Sequence, residues 1–392
     1  RRGFTGPIYC TRRTAELAEI VLADSGRLQE EEAEYANHHH FSKHRPAEPL
    51  YTEADAQKTV LQFEPREFET SFPVSHAVHA SFHPVGHILG SAAVLVQLDG
   101  NSPTSVLVSG DVGRPTHPIL GAPAPPPAAA TVIVESTYGD RQHESTDRAL
   151  DRIADAITRT ARRGGMTVIP SFAVDRTEIV LLALRSLMNT GRIPELPVYA
   201  DSPMALDVLD VYRDAIRSRD RDVRPDMERL QALDRRHVHE VRGRDESIAL
   251  NRLHVPSIII SASGMATGGR VLHHLARLLP DSRNTVVLAG YQAEATRGRL
   301  LANHAPSIKM LGRYVAVRAE IIVADAFSSH ADANELTAWL AQVESPPDTV
   351  YVVHGEPDAS TTFAQRLHRE LDWNAVVPHS GERVILRGYD GP

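Results

Sequence analysis

The sequence predicts an α/β protein, and three observations carry that prediction. Apolar runs of strand length alternate with amphipathic helical stretches from Ala149 onward, the pattern of βαβ units and a parallel, doubly wound sheet. Five residues with metal-ligating or acid–base side chains each follow an apolar run: His87, Asp111, Glu135, His330 and His354. Strand ends are rigid mounts, so five of them in one chain point to a polar site along one edge of a sheet sandwich. The length of 392 residues is a prior for two or three domains.

The elements follow in order from apolar runs and breakers. Ala92 to Leu98 and Ser105 to Val108 read as paired strands joined by the turn Asp99-Gly100-Asn101. Gly121 to Ala130 is rich in proline and alanine and reads as an exposed connection. Thr131 to Val134 is a strand ending at Glu135. Helices are expected over 149–162, 177–188 and 205–217, and strands over 166–169, 197–200, 256–261 and 284–289. Ser218 to Glu246 is heavily charged without aromatics and reads as a surface helix or excursion. After Ile321 to Val323 the alternation resumes, with helices over 333–343 and 359–371. No internal repeat is present.

Composition excludes several classes. Apolar residues at 42% and charged residues at 23% are ordinary globular values. No run of eighteen apolar residues exists, so no membrane span is expected. The single cysteine, Cys10, allows no disulfide within the chain and suits a reducing, cytoplasmic setting. The net charge of −8 means that a nucleic-acid partner would need locally concentrated positive charge. Arg235-Arg236, Arg242 with Arg244, and Arg297 with Arg299 are the candidates, though any one of them taken singly reads first as solvated surface.

Taken singly, the site residues are ambiguous. His87 in a glycine-bearing loop reads as a structural histidine or a ligand, and Asp111 in G-D-V-G as a turn residue or a ligand. Asp332 reads as a cap for the helix that follows it. Ser261 to Arg270 holds Ser263, Gly264, Gly268, Gly269 and Arg270 after a strand. Such a loop can aim N–H groups at an anion, and an arginine can add a bidentate contact. Asp201-Ser202-Pro203 also follows a strand, and Tyr138 and Tyr291 read as base-stacking or core residues.

In this order, S-F-H-P-V-G-H-I-L-G, S-V-L-V-S-G-D-V-G-R, E-S-T-Y-G-D-R, D-S-P-M-A, S-A-S-G-M-A-T-G-G-R, G-Y-Q-A-E, F-S-S-H-A-D and V-V-H-G-E resemble the metallo-β-lactamase-fold nucleases of the β-CASP group over almost the whole chain. The resemblance implies an αββα sandwich split over residues 1–140 and 326–392, with a Rossmann-like β-CASP domain inserted at 141–325. It also implies two zinc ions, with Asp111 bridging, His87 on one ion and His354 on the other, while Glu135 and His330 flank the metal centre as catalytic acid and histidine. RNA is the implied partner, because the group's RNA enzymes carry histidine at the position of His354 and its DNA-repair members usually carry valine. A homodimer is an admissible assembly.

The group's H-x-H-x-D-H signature has no counterpart here: His38-His39-His40 with His44 lacks an aspartate at the needed spacing. The expectation is a fragment without the first part of its amino-terminal domain, and hence a chain that alone binds zinc poorly and cleaves little; natural loss of the motif is the alternative. Asp175 and Ala295 stand where relatives usually have glycine, so anion binding near Arg176 and the turn at Ala295 are expected to differ. The leading expectation is a zinc-dependent ribonuclease, endo- or exonucleolytic, leaving 5′-phosphate and 3′-hydroxyl ends. A small-molecule hydrolase of the same fold and a non-catalytic RNA-binding subunit are the rivals.

Overall fold

The computed structural model describes residues 3–40, 42–100, 104–227, 233 and 238–386. The chain forms two compact units: residues 1–142 with 330–392, and residues 143–329.

The first unit is built on a seven-stranded sheet in the spatial order Ala375–Val376, Thr349–Val353, Thr131–Glu135, Thr104–Val108, Ala92–Leu98, Val78–Pro84, Phe72–Ser75. The first four of these are parallel to one another. Ala92–Leu98 is antiparallel to both of its neighbours. Val78–Pro84 therefore runs in the same direction as Thr104–Val108, and four strands that carry site residues (Val78–Pro84, Thr104–Val108, Thr131–Glu135 and Thr349–Val353) deliver their carboxyl ends to a single sheet edge. Side chains alternate along a strand, and here both faces are buried. Ala93 and Leu95 face a core with Val132, Val350, Leu336, Trp339, Phe363 and Leu367, supplied by helices Ala333–Leu340 and Pro357–Leu371. Ala92 and Val94 face a second cluster with Phe72, Ala80 and Phe82.

The helix Arg12–His39 was not legible as one element. Thr11 caps it through Thr14 N, and His40 ends it in the left-handed conformation at φ 55°. His38 and His39 lie in its last turn. Gly26 lets the helix Glu53–Val60 approach, because a Cβ there would lie 2.7 Å from Glu53 N.

The second unit holds a six-stranded, wholly parallel sheet: His239–Glu240, Val198–Ala200, Ile258–Ser261, Thr167–Pro170, Thr285–Leu288, Glu320–Val323. It is doubly wound, as the alternation predicts. Val168, Val286 and Leu288 pack with Leu272 and Leu275 of helix Val271–Leu278 on one face. On the other, Ile169 and Val287 meet Ile153 of helix Thr146–Arg162 and Val180 and Leu184 of helix Arg176–Asn189. The charged segment after Arg217 contains, among the described residues, no long surface helix; it adds an edge strand, His239–Glu240, and a short helix, Arg244–Leu250. Arg235 and Arg236 lie outside the described residues. No helix among the described residues is long and apolar enough to cross a membrane.

Glu178, in the first turn of Arg176–Asn189, is fully buried. Burial raises its carboxyl well above the ordinary range, and the charge of Asp175 adds to this; backbone N–H groups and Arg213 offset only part. The folded state therefore holds the Glu178 proton more tightly than the unfolded chain. The resulting stability is fully present below the unfolded carboxyl pKa and is lost as pH rises toward the higher folded value. Glu178→Gln is expected to flatten that decline, read as melting temperature against pH for both proteins; parallel curves would contradict it.

Candidate active site

The sheet edge of the first unit brings four of the five strand-end residues together. His87 sits in the loop after Val78–Pro84, Asp111 three residues after Thr104–Val108, Glu135 at the end of Thr131–Glu135, and His354 directly after Thr349–Val353. His330 joins them through a bridge to Gly113, and its neighbour Asp332 bridges Tyr138. Two glycines permit the approach of the first two loops. A Cβ on Gly113 would lie 2.1 Å from Gly86 O and 2.5 Å from His87 N, so only a bare Cα lets the Asp111 loop pass beside His87.

Asp111 is central. Its Oδ2 lies 3.7 Å from His87 Nε2, and its Oδ1 lies 3.3 Å from His354 Nδ1. The two carboxylate oxygens thus face two different histidines. Ligand atoms of His87, Asp111 and His330 fall within 4.8 Å of one another, as do those of Asp111, Glu135 and His354. His354 holds a left-handed backbone at φ 57°, and Thr137 Oγ1 sits 3.3 Å from its Nδ1.

Glu135 is buried and faces His330: Nδ1 lies 3.0 Å from Oε2 and 3.2 Å from Oε1. The same carboxylate accepts from Val112 N at 2.6 Å and Thr137 N at 3.3 Å. Burial alone would raise the Glu135 carboxyl. The charge and hydrogen bond of His330, the Thr137 bond and the charge of His87 together outweigh it and hold the carboxyl below its ordinary value. Glu135 is thus an anion that fixes the His330 ring. The His330 ring packs 4.3 Å from the His87 ring, centroid to centroid.

These donors suit a metal. Imidazole nitrogens and carboxylate oxygens are the ligands zinc takes, and a carboxylate whose two oxygens address different histidines has the form of a bridging ligand.

Other expectations divide. Asp332 caps helix Ala333–Leu340, accepting from Asn334 N and Glu335 N, while Glu335 Oε2 accepts from Asp332 N. Tyr138 is a core residue at 1% exposure, which removes it as a base-stacking platform. Ala295 takes the left-handed conformation at φ 60°, so the turn forms with alanine in place. Asp175 also has positive φ, and its buried carboxylate accepts from Tyr212 OH at 3.0 Å and from Ser329 Oγ. The carboxylate is engaged inside the fold, beside the Arg176 guanidinium that donates to the same Ser329 Oγ.

The glycine-rich loop of the second unit differs from an open anion seat. Ser263 Oγ accepts from Thr267 N at 3.0 Å and Gly268 N at 3.4 Å. Arg270 donates to Asp201 Oδ1 at 2.8 Å and to the carbonyls of Val241 and Arg242. Asp201, fully buried, also binds His274 Nε2 at 2.6 Å and Ser247 Oγ at 2.6 Å. Asp201 is thus the hub of a buried polar network and not a surface residue. Arg270 is a strut between that hub and the Val241–Arg242 backbone, because a buried carboxylate demands charged partners. Gly264 is fixed by packing, since a Cβ there would lie 2.7 Å from the Phe172 ring; a Cβ at Gly268 would meet nothing within 4 Å. Gly269 has φ 77°.

Two family models match the chain. A Beta-Casp domain matches residues 177–301, and a Zn-dependent metallo-hydrolase RNA specificity domain matches residues 314–378. Ribonuclease TTHA0252 of Thermus thermophilus is 33% identical over 359 residues, covering 91% of this chain and 77% of that protein. Transcription termination factor FttA of Pyrococcus abyssi is 29% identical over 394 residues, 98% of this chain but only 58% of that protein. An RNase J-like protein of Methanocaldococcus jannaschii is 29% identical over 377 residues, 95% of this chain and 82% of that protein.

Proposed function

The chain belongs to the β-CASP family of metallo-β-lactamase-fold hydrolases, and from that premise we propose that it is a metal-dependent ribonuclease whose centre is built on His87, Asp111 and His354. The observation that carries this reading is the pair of Asp111 oxygens turned to His87 Nε2 and His354 Nδ1, with His330 held by Glu135 beside them. The match to an RNA specificity domain supports RNA over a small thioester or lactone.

We assign zinc to this site, two ions by resemblance to the family. Three ligands from this chain are fewer than two tetrahedral ions need. A bound ion supplies Lewis acidity toward a phosphate oxygen and lowers the pKa of water. The chain's own residues do the rest. Glu135 fixes the His330 ring through Nδ1. That leaves Nε2, on the far side of the ring, to give a proton to the departing 3′-oxygen of a cleaved phosphodiester. Products with 5′-phosphate and 3′-hydroxyl ends follow. On the second unit, Gly268 is the point of the Ser263–Arg270 loop where a phosphate can approach the backbone without meeting a side chain. A reducing, cytoplasmic setting is supported by the buried Cys10, which has no second cysteine to pair with.

The test is cleavage of a labelled single-stranded RNA by the protein. The expected result is cleavage that stops with EDTA and returns with zinc. Cleavage indifferent to chelation, or none with zinc restored, would remove the reading.

A further inference from the structure

One stretch of the second unit breaks the charge balance of the protein. Between Glu294 and Glu320 the chain carries five of its 42 Lys and Arg residues (Arg297, Arg299, Lys309, Arg313 and Arg318) and none of its 50 Asp and Glu. Within it, Ser307–Met310 and Arg313–Ala316 form a two-stranded antiparallel hairpin. Residues 302–313 of this stretch fall outside both family matches.

The hairpin has a buried and a presented face. Ile308, Met310 and Val315 enter the core of the unit. On the other face Lys309 and Tyr314 lie directly opposite each other in the register, which sets their Cβ atoms about 5 Å apart. Both are exposed, Tyr314 at 74%. An isolated hairpin is marginal in water; this one is anchored by its buried face, so the exposed pair is held on a rigid mount. Arg297 extends the surface. Its Nε donates to Lys309 O at 2.9 Å and its Nη1 to Thr267 O at 2.9 Å. It thereby ties the hairpin to the glycine-rich loop, whose Gly268 opens onto free space. Arg313 and Arg318 are exposed nearby in sequence.

We propose that this hairpin face is a docking surface for single-stranded RNA, with a base stacked on Tyr314 and a backbone phosphate on Lys309; the proposal rests on the ribonuclease reading above. The chemistry selects the partner. A flat exposed ring next to a cation, on a stretch of sequence without Asp or Glu, matches an unstacked base and its phosphate. The chain as a whole carries a net charge of −8, which repels a polyanion, so a cationic stretch whose sequence lacks Asp and Glu is where such a strand settles. A second copy of this chain fits less well. A two-fold interface sets the same patch against itself, and that would oppose Lys309 and Arg313 to their own copies.

The test separates binding from cleavage. A fluorescein-labelled single-stranded oligouridylate is titrated in EDTA, by anisotropy, at several salt concentrations. Tyr314→Ala is expected to weaken binding about tenfold with the salt slope unchanged, and Tyr314→Phe to restore it, as for loss and return of one stacked base. Lys309→Ala is expected to reduce the slope of log K against log salt by about 0.7, the value for one phosphate contact on a single strand. Both side chains are exposed, and unchanged melting temperatures confirm that the variants fold. Wild-type affinity in both variants, no binding by the wild type, or displacement of the probe by polyglutamate as readily as by unlabelled RNA would overturn the proposal. So would a sedimentation shift from dimer to monomer on Tyr314→Ala, which would make the face a subunit contact. Retained cleavage with unaltered binding in the variants sinks this surface alone; binding that responds as expected without zinc-dependent cleavage sinks the ribonuclease reading alone.

Discussion

Alanine at Asp111 is expected to remove bound metal and to slow RNA cleavage by on the order of 10³-fold or more, corresponding to ~4 kcal/mol of lost transition-state stabilisation. The expectation follows from position. Asp111 has one oxygen 3.7 Å from His87 and the other 3.3 Å from His354. Its removal leaves two imidazoles and no anionic bridge. The side chain is over one-third exposed, so the fold should persist, which circular dichroism would verify. Asp111→Asn keeps the shape without the charge and is expected to lose metal as well. A variant at Asp111 that keeps both its metal and its cleavage rate would show that the site is elsewhere.

His330→Ala is expected to slow cleavage by about 10²- to 10⁴-fold, the usual share of general acid–base catalysis, with metal content unchanged. Glu135 would keep the N–H bonds of Val112 and Thr137, so its buried carboxylate is not left bare. His354→Ala should instead lower metal content along with activity. The geometry gives this comparison its force, because a His330 ring nitrogen also lies within 4.8 Å of ligand atoms of His87 and Asp111. Metal analysis that finds His330→Ala depleted and His354→Ala intact would exchange the two assignments.

Much of this was legible because strand runs and breakers are local signals. Ala92–Leu98 begins and ends where the apolar run does, and helices such as Arg176–Asn189 and Pro357–Leu371 lie within two residues of their expected limits. The convergence of His87, Asp111, Glu135 and His354 follows from one topological fact, that four strands end on the same sheet edge. Partners of polar groups were not legible. Arg270 reads as an anion contact in sequence, yet the buried Asp201, distant in sequence, takes its guanidinium. The helix Arg12–His39 has its polar residues spread around much of its surface, so no periodic apolar stripe announced it. Tyr138 and Tyr314 are the same residue type, and only tertiary packing puts one at 1% exposure and the other at 74%.

The central claim is that His87, Asp111 and His354 bind metal while His330 works beside it. Titration of the protein with cobalt(II), followed by visible absorption, tests that claim without reference to catalysis. The predicted result is an affinity at least tenfold weaker in His87→Ala, Asp111→Ala and His354→Ala, and near the wild-type value in His330→Ala. Equal affinity in all four variants and the wild type would contradict it.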